Sequence, residues 1–239
     1  MARKPQRPAR STPRSRPAPP PPEGTDREKI IAAFMALLAE KRIEEIGFGD
    51  ISARAGLSLA ACRQEFGSTL AIFAAHMKEL DRAVLRGTDA ELAEEPPRER
   101  LFDVLMRRLE AMTPYREATR SLLRSASRNP PLAIALNCLA LRSQTWMLTA
   151  ANVDAAGPRG MIRAQGLAML FASVLRTWVD DEDEGLARTM AALDRALARG
   201  QRWSGMLDDL CRFSPGRCVS RFRRRRRDDE EGEEEAAAA

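Results

Sequence analysis

The chain has 239 residues, 44% of them hydrophobic, with 39 basic groups against 34 acidic ones and a net charge of +5. That length suits one or two domains and that apolar content can bury a real core, but no apolar run approaches the roughly 20 residues a bilayer requires. Arg3, Lys4, Arg7 and Arg10 are followed by prolines where a secretory signal would need an apolar stretch, so the expectation is a cytoplasmic protein with no membrane insertion.

Residues 1–24 form a Pro/Arg-rich segment ending in Pro19-Pro20-Pro21-Pro22, a composition that builds no core and predicts a disordered or polyproline-like arm. Six basic groups (Arg3, Lys4, Arg7, Arg10, Arg14 and Arg16) stand there against Glu23, a net of +5, so the rest of the chain sums to zero. Any attraction for phosphate is therefore concentrated in the arm.

Thr25 or Asp26 can cap a helix running to about Lys41, with Glu28 placed as in a capping box; Ile30, Ile31, Phe34, Leu37 and Leu38 keep helical spacing. After Gly47-Phe48-Gly49, a short helix from Asp50 to Ala55 is expected to stop at Gly56, a residue that accepts the positive φ of a tight helix exit. Ser58 can then cap a second short helix, Leu59 to Glu65. Small residues, a glycine turn and a serine cap at this spacing suit two helices crossing steeply through a short turn.

The run Ile51-Ser-Ala-Arg-Ala-Gly56-Leu57-Ser58, followed by Phe66-Gly-Ser68 and Leu70, closely resembles the helix-turn-helix of the TetR/AcrR family of transcriptional regulators, over roughly Asp26 to Val84. The resemblance implies an all-α, TetR-like fold. Residues 25–90 would form a three-helix DNA-binding domain, residues 91–210 a larger helical bundle for ligand binding and dimerisation, and residues 211–239 a disordered charged tail. It also implies a homodimer on a two-fold, double-stranded DNA operator, acting as a repressor released by a small apolar ligand. The second short helix would enter the major groove. Ser52, Arg54, Ser58, Leu59, Ala60, Ala61, Arg63, Gln64 and Thr69 are the implied DNA contacts, with Arg63 and Gln64 as base readers and Ser52 and Ser58 on phosphates. Two positions depart from the family pattern: Arg63 stands near the end of the reading helix where an aromatic is usual, and Thr69 stands where lysine is common. Residues 26–90 carry nine basic against ten acidic groups, leaving the basic arm to compensate along the backbone or minor groove.

From Pro97 onward, helices are expected near 98–112, 114–127, 131–151, 160–180 and 185–203, with no strand. Met106, Leu109, Met112, Leu123, Trp146, Met147 and Phe171 are candidates for an apolar pocket, although each would serve equally as ordinary core. The segment Gly160–Val179 is apolar nearly all round, as expected of a helix caught between its own core and a second subunit. By their place in the TetR-like pattern, Leu167, Leu170, Val174, Trp178, Met190, Leu193 and Leu197 are the implied dimer interface.

A second resemblance supplies the alternative. Pro97 to Leu109, Pro114-Tyr115, and Trp178-Val-Asp180-Asp181 with Thr189 and Leu193 look like the ubiquinone-biosynthesis accessory proteins, which share the TetR fold but as a family bind lipids or quinones rather than DNA. An enzyme is not expected: His76 is the single histidine and reads as a packing or surface residue, and no phosphate-binding glycine loop occurs. The acidic run Asp180 to Glu184 reads as a solvated loop capping the next helix. Cys62, Cys138, Cys211 and Cys218 lack metal-site spacing and are expected to be reduced thiols. No cofactor or metal is implied.

Overall fold

The computed structural model describes residues 24–87 and 94–212, with side chains as far as residue 200. The expected arm, apart from Gly24, the tail from residue 213 with Cys218, and the side chain of Cys211 lie outside the described residues. The described chain is all helix: α1 (Asp26–Glu40), α2 (Phe48–Ala55), α3 (Leu59–Glu65), α4 (Thr69–Arg86), α5 (Pro97–Met112), α6 (Arg116–Arg128), α7 (Pro130–Ala150), α8 (Gly157–Trp178) and α9 (Ala187–Arg212).

Local chemistry sets the ends of the early helices. The Thr25 hydroxyl accepts the Glu28 N–H at 3.3 Å while the Glu28 carboxylate accepts the Thr25 N–H at 2.8 Å, a complete capping box. α2 begins two residues earlier than the sequence suggests. Asp50 is not its first residue but its third-position capper, its carboxylate accepting the Gly47 N–H at 3.0 Å. Gly56 ends α2 at φ +69°, in the left-handed region that disfavours a side chain. Ser58 and Ser68 then cap α3 and α4 by accepting the N–H of Ala61 and Ala71, each at 3.1 Å.

Two apolar clusters organise the packing. Ile30, Phe34 and Leu38 of α1 pack with Ile51, Cys62, Phe66 and Ile72, and Ala118 and Leu122 of α6 close that cluster from below. Val84, Leu105, Leu109, Met147, Phe171, Val174, Trp178 and Leu193 belong to the second. α4 crosses from one to the other, giving Ile72 and Ala75 to the first and Leu80 and Val84 to the second. The helix-turn-helix is thus braced on the bundle; Ser121 of α6 also donates to the Lys41 carbonyl at 3.0 Å.

The acidic turn before α9 is more built than expected. Asp183 does cap α9, accepting the Ala187 N–H at 3.0 Å, but Asp181 is fully buried rather than solvated. Its carboxylate accepts both the N–H and the hydroxyl of Thr189, at 2.8 and 2.7 Å, while Arg116 and Arg120 donate to the carbonyls of Asp181 and Val179. The Thr189 hydrogen bonds hold the Asp181 carboxyl below its ordinary pKa, so its stabilisation is present above the unfolded carboxylate range and lost as pH falls through the lowered folded value. Asp181→Ala strands the two Thr189 donors and is expected to cost about 1–3 kcal/mol. Urea denaturation at neutral pH reads that cost directly. The gap between variant and parent is expected to close in acid.

Candidate functional site

Two features of the molecule carry the residues singled out by the sequence: the outer face of α3, and a cavity bordered by α4. In α3 a single side chain, Cys62, is buried, and it points into the α1–α4 cluster. Burial pushes its thiol pKa up, which makes it an inert packing group. Leu59, Ala60, Arg63 and Gln64 consequently face outward and Ala61 is half-buried. Ser58 sits at the N-cap, and Thr69 begins α4 with its side chain partly covered. Ser52 is half-buried and its hydroxyl donates to the Gly49 carbonyl at 3.0 Å.

Most cations around this face already have partners. Arg54 forms a two-pronged bond to Glu40, at 2.9 and 2.7 Å, which draws the Glu40 pKa below its ordinary value. Lys41 pairs with Asp50 at 2.9 Å, Arg42 with Glu44 at 3.5 Å, and Arg27 with Glu65 at 3.8 Å while also lying 4.7 Å over the Phe66 ring. Between residues 26 and 69, Lys29 and Arg63 are the cations without an ion-pair partner among the described residues. Exposed pairs of this sort are worth about 0–1 kcal/mol each, so a phosphate can take the cation over.

The cavity, about 550 Å³ in volume, lies among α1, α4, α5, α6, α7 and α8. Three of the seven expected pocket residues line it: Met112, Leu123 and Phe171. The other four do not. Leu109 and Met147 are spent in the second core cluster, Met106 packs against that cluster, and Trp146 is 56% exposed on the outer side of α7. α7 is rotated so that Ser143, Gln144 and Met147 face inward, which turns Trp146 away. Sequence reading missed His76, Arg108 and Gln144, all of them buried and all lining the cavity. The available signal was helical spacing alone, since His76 shares the apolar stripe Phe73, Met77 and Leu80 of α4.

These polar groups are differently satisfied. Arg108 forms a buried ion pair with Asp81, and Ser143 donates to the same carboxylate oxygen at 2.6 Å. Arg108 Nε and Gln144 Oε1 are buried without a hydrogen-bond partner. His76 stacks edge-on against Tyr115, ring centroids 4.3 Å apart; burial first, and the nearby Arg108 charge second, lower its pKa to about 4. It is neutral at physiological pH and shows the packing role rather than a surface one.

Of the expected interface residues, Leu167, Val174, Trp178, Leu193 and Leu197 are buried within their own chain and offer no surface to a partner. Trp178 is 0% exposed, with the Arg116 guanidinium 5.0 Å from its ring. Leu170 is half-buried and Met190 exposed. The outward apolar residues of α8 are instead Met161, Ile162 and Met169, and Ile162, Gly166, Met169 and Ser173 recur at four- and three-residue steps along one exposed stripe. No cluster of three or more metal-binding side chains occurs among the described residues, and no helix among them is long and apolar enough to cross a membrane.

No family model and no curated protein matches the sequence. Solved structures do. A TetR transcriptional regulator from Nitrosomonas europaea superposes with a TM-score of 0.59 at 22% identity, covering 74% of this chain and 99% of that one. One from Rhodococcus sp. RHA1 gives 0.53 at 18%, covering 73% and 95%, and a tetR-family regulator from Streptomyces coelicolor gives 0.50 at 16%, covering 77% and 83%. The chain has the TetR fold.

The environment of His76 yields a pH signature. A base whose folded pKa lies near 4 against 6.5 unfolded disfavours protonation in the folded state, so stability is full above 6.5 and declines as pH falls toward 4. His76 is the sole histidine, so NMR of its ring protons should show no titration between those values. His76→Phe is expected to flatten the decline measured by urea melts.

Proposed function

We propose that the protein is a homodimeric, ligand-responsive transcriptional regulator that reads double-stranded DNA with α3. The observation that carries this reading is α3 itself: anchored by Cys62 alone, crossing α2 through the Gly56 turn, and presenting Arg63 and Gln64 outward. Arg63 is the natural guanine reader and Gln64 the natural adenine reader in a major groove, with the exposed amide end of α3 and Ser58 suited to a phosphate. The arm supplies the sequence-independent attraction that the internally paired cations of the head do not.

A two-fold operator needs a two-fold protein. Met161 and Ile162 of α8, away from the cavity, with Met190 of α9 give the apolar surface suited to pairing with its own copy. The cavity is suited to a small effector, and its walls include Met35 of α1 and Phe73 and His76 of α4. Occupancy would act by favouring one placement of those two helices over another, and hence one spacing of the two heads. The expected sign is repression, relieved by the ligand.

A second reading, a lipid- or quinone-binding protein that keeps the fold without reading DNA, draws on the apolar cavity and on the paired cations Arg27, Lys41, Arg42 and Arg54.

Selection from a random duplex library by the full chain, and by a chain lacking residues 1–24, at two salt concentrations separates these readings. An enriched palindrome that survives removal of the arm is the expected result. Binding without enrichment, lost with the arm, would overturn the regulator and favour the second reading. On the selected site, Arg63→Ala is expected to weaken binding by about 1–3 kcal/mol and to relax the preference at one base position. In sedimentation velocity, Ile162→Glu is expected to shift the protein from dimer to monomer with its helix content retained. An unchanged dimer would place the interface elsewhere.

A further inference from the structure

We infer that the cavity selects an uncharged, mainly apolar molecule with one hydroxyl, phenol or amide end, seated against the Gln144 carboxamide and Arg108 Nε. This rests on the cavity's being an effector site. Gln144 is 1% exposed and Arg108 2% exposed. Gln144 makes no hydrogen bond among the described residues, and its Oε1 and Arg108 Nε are both buried without partners. A buried polar atom left unpaired carries its full desolvation cost, which a ligand end that both donates and accepts would remove. Four other polar groups at the wall are already occupied: Asn137 exchanges hydrogen bonds with Gln165 at 3.0 and 3.1 Å, Thr119 donates to the Tyr115 carbonyl at 3.0 Å, Ser127 to the Arg124 carbonyl at 2.8 Å and Ser173 to the Leu170 carbonyl at 2.7 Å. His76, neutral and without a hydrogen bond, lines the same cavity.

Charge decides the class. The lining contains no carboxylate, so a buried ammonium would find no counter-ion. Arg108 is already matched by Asp81, so a carboxylate brought beside it would leave one negative charge buried in excess. Arg176 also lines the cavity but is exposed, with Ile134, Met169 and Ser173, at the mouth between α7 and α8. Water screens it there. Around the rest, Met35, Met77, Leu80, Leu122, Leu136 and Phe171 give an apolar and partly adaptable wall.

The test is calorimetric titration of the full chain at neutral pH with matched probes: decanol, decanoate and decylammonium, then octylphenol, octylbenzoate and octylanisole. Decanol and octylphenol are expected to bind at least about tenfold more tightly than the charged members of the same skeleton. Gln144→Leu is expected to weaken octylphenol by about tenfold, leave octylanisole, which has no donor, unchanged, and hold or raise the melting temperature of the free protein. Charged probes binding as tightly as neutral ones, no binding by any probe, or equal losses for phenol and anisole in Gln144→Leu would each overturn the inference. The titrations need no DNA, so failure to select an operator would sink the regulator while leaving this result standing. An operator bound by a protein whose cavity does not discriminate charge would do the reverse.

Discussion

Asp81, Arg108 and Ser143 meet in the interior at the junction of α4, α5 and α7, where the carboxylate takes hydrogen bonds from both partners. Such a pair contributes little over well-packed apolar groups of the same shape, but removal of either ion leaves the other stranded at about 3–5 kcal/mol. Its effect is therefore one of registry. Because Asp81 sits on the half of α4 that belongs to the bundle, and Ile72 and Ala75 on the half that belongs to the head, the ion pair fixes how far α4 projects under the helix-turn-helix. It also fixes Arg108 at the cavity wall, with the guanidinium 5.7 Å over the Phe171 ring.

From that fixed point the geometry of the head follows. α1 lies on α6, tied by Ser121 to the Lys41 carbonyl and by Asn129 to Glu44 at 3.3 Å, and α4 passes beneath α1 through the shared cluster. The cavity opens where these elements part company, so it borders the head without touching α3. A tightly packed interior moves between discrete arrangements rather than deforming continuously. A change in that space therefore acts on the helices that line it and not on α3.

What the sequence made legible was what neighbouring residues decide among themselves. Thr25 with Glu28, Gly56 and Ser58 set helix ends within three or four residues of chain, and the structure has them in those roles. The orientation of α7 was not legible, because Ile134, Leu136, Leu139, Leu141, Trp146 and Met147 make it apolar on every side. Ser143 reaching Asp81 and Asn137 reaching Gln165 turn that helix, and both partners are distant in sequence. The burial of Trp178 within its own chain was not legible for a related reason. A helix apolar all round does not disclose which side its own chain will claim, and Arg116 and the turn at Asp181 claim this one. Arg54 was legible as an exposed cation but not as one held by Glu40, fourteen positions earlier.

The single buried thiol of α3 bears on how such a protein changes over generations. A seven-residue helix attached through Cys62 has its remaining side chains exposed or half-exposed, and substitutions at such surface positions typically alter stability by no more than about 0.5 kcal/mol. The side chains of Leu59, Ala60, Arg63 and Gln64 can therefore be exchanged with almost no penalty in folding. The fold sets where α3 stands, and leaves the chemistry of its outer face free to drift.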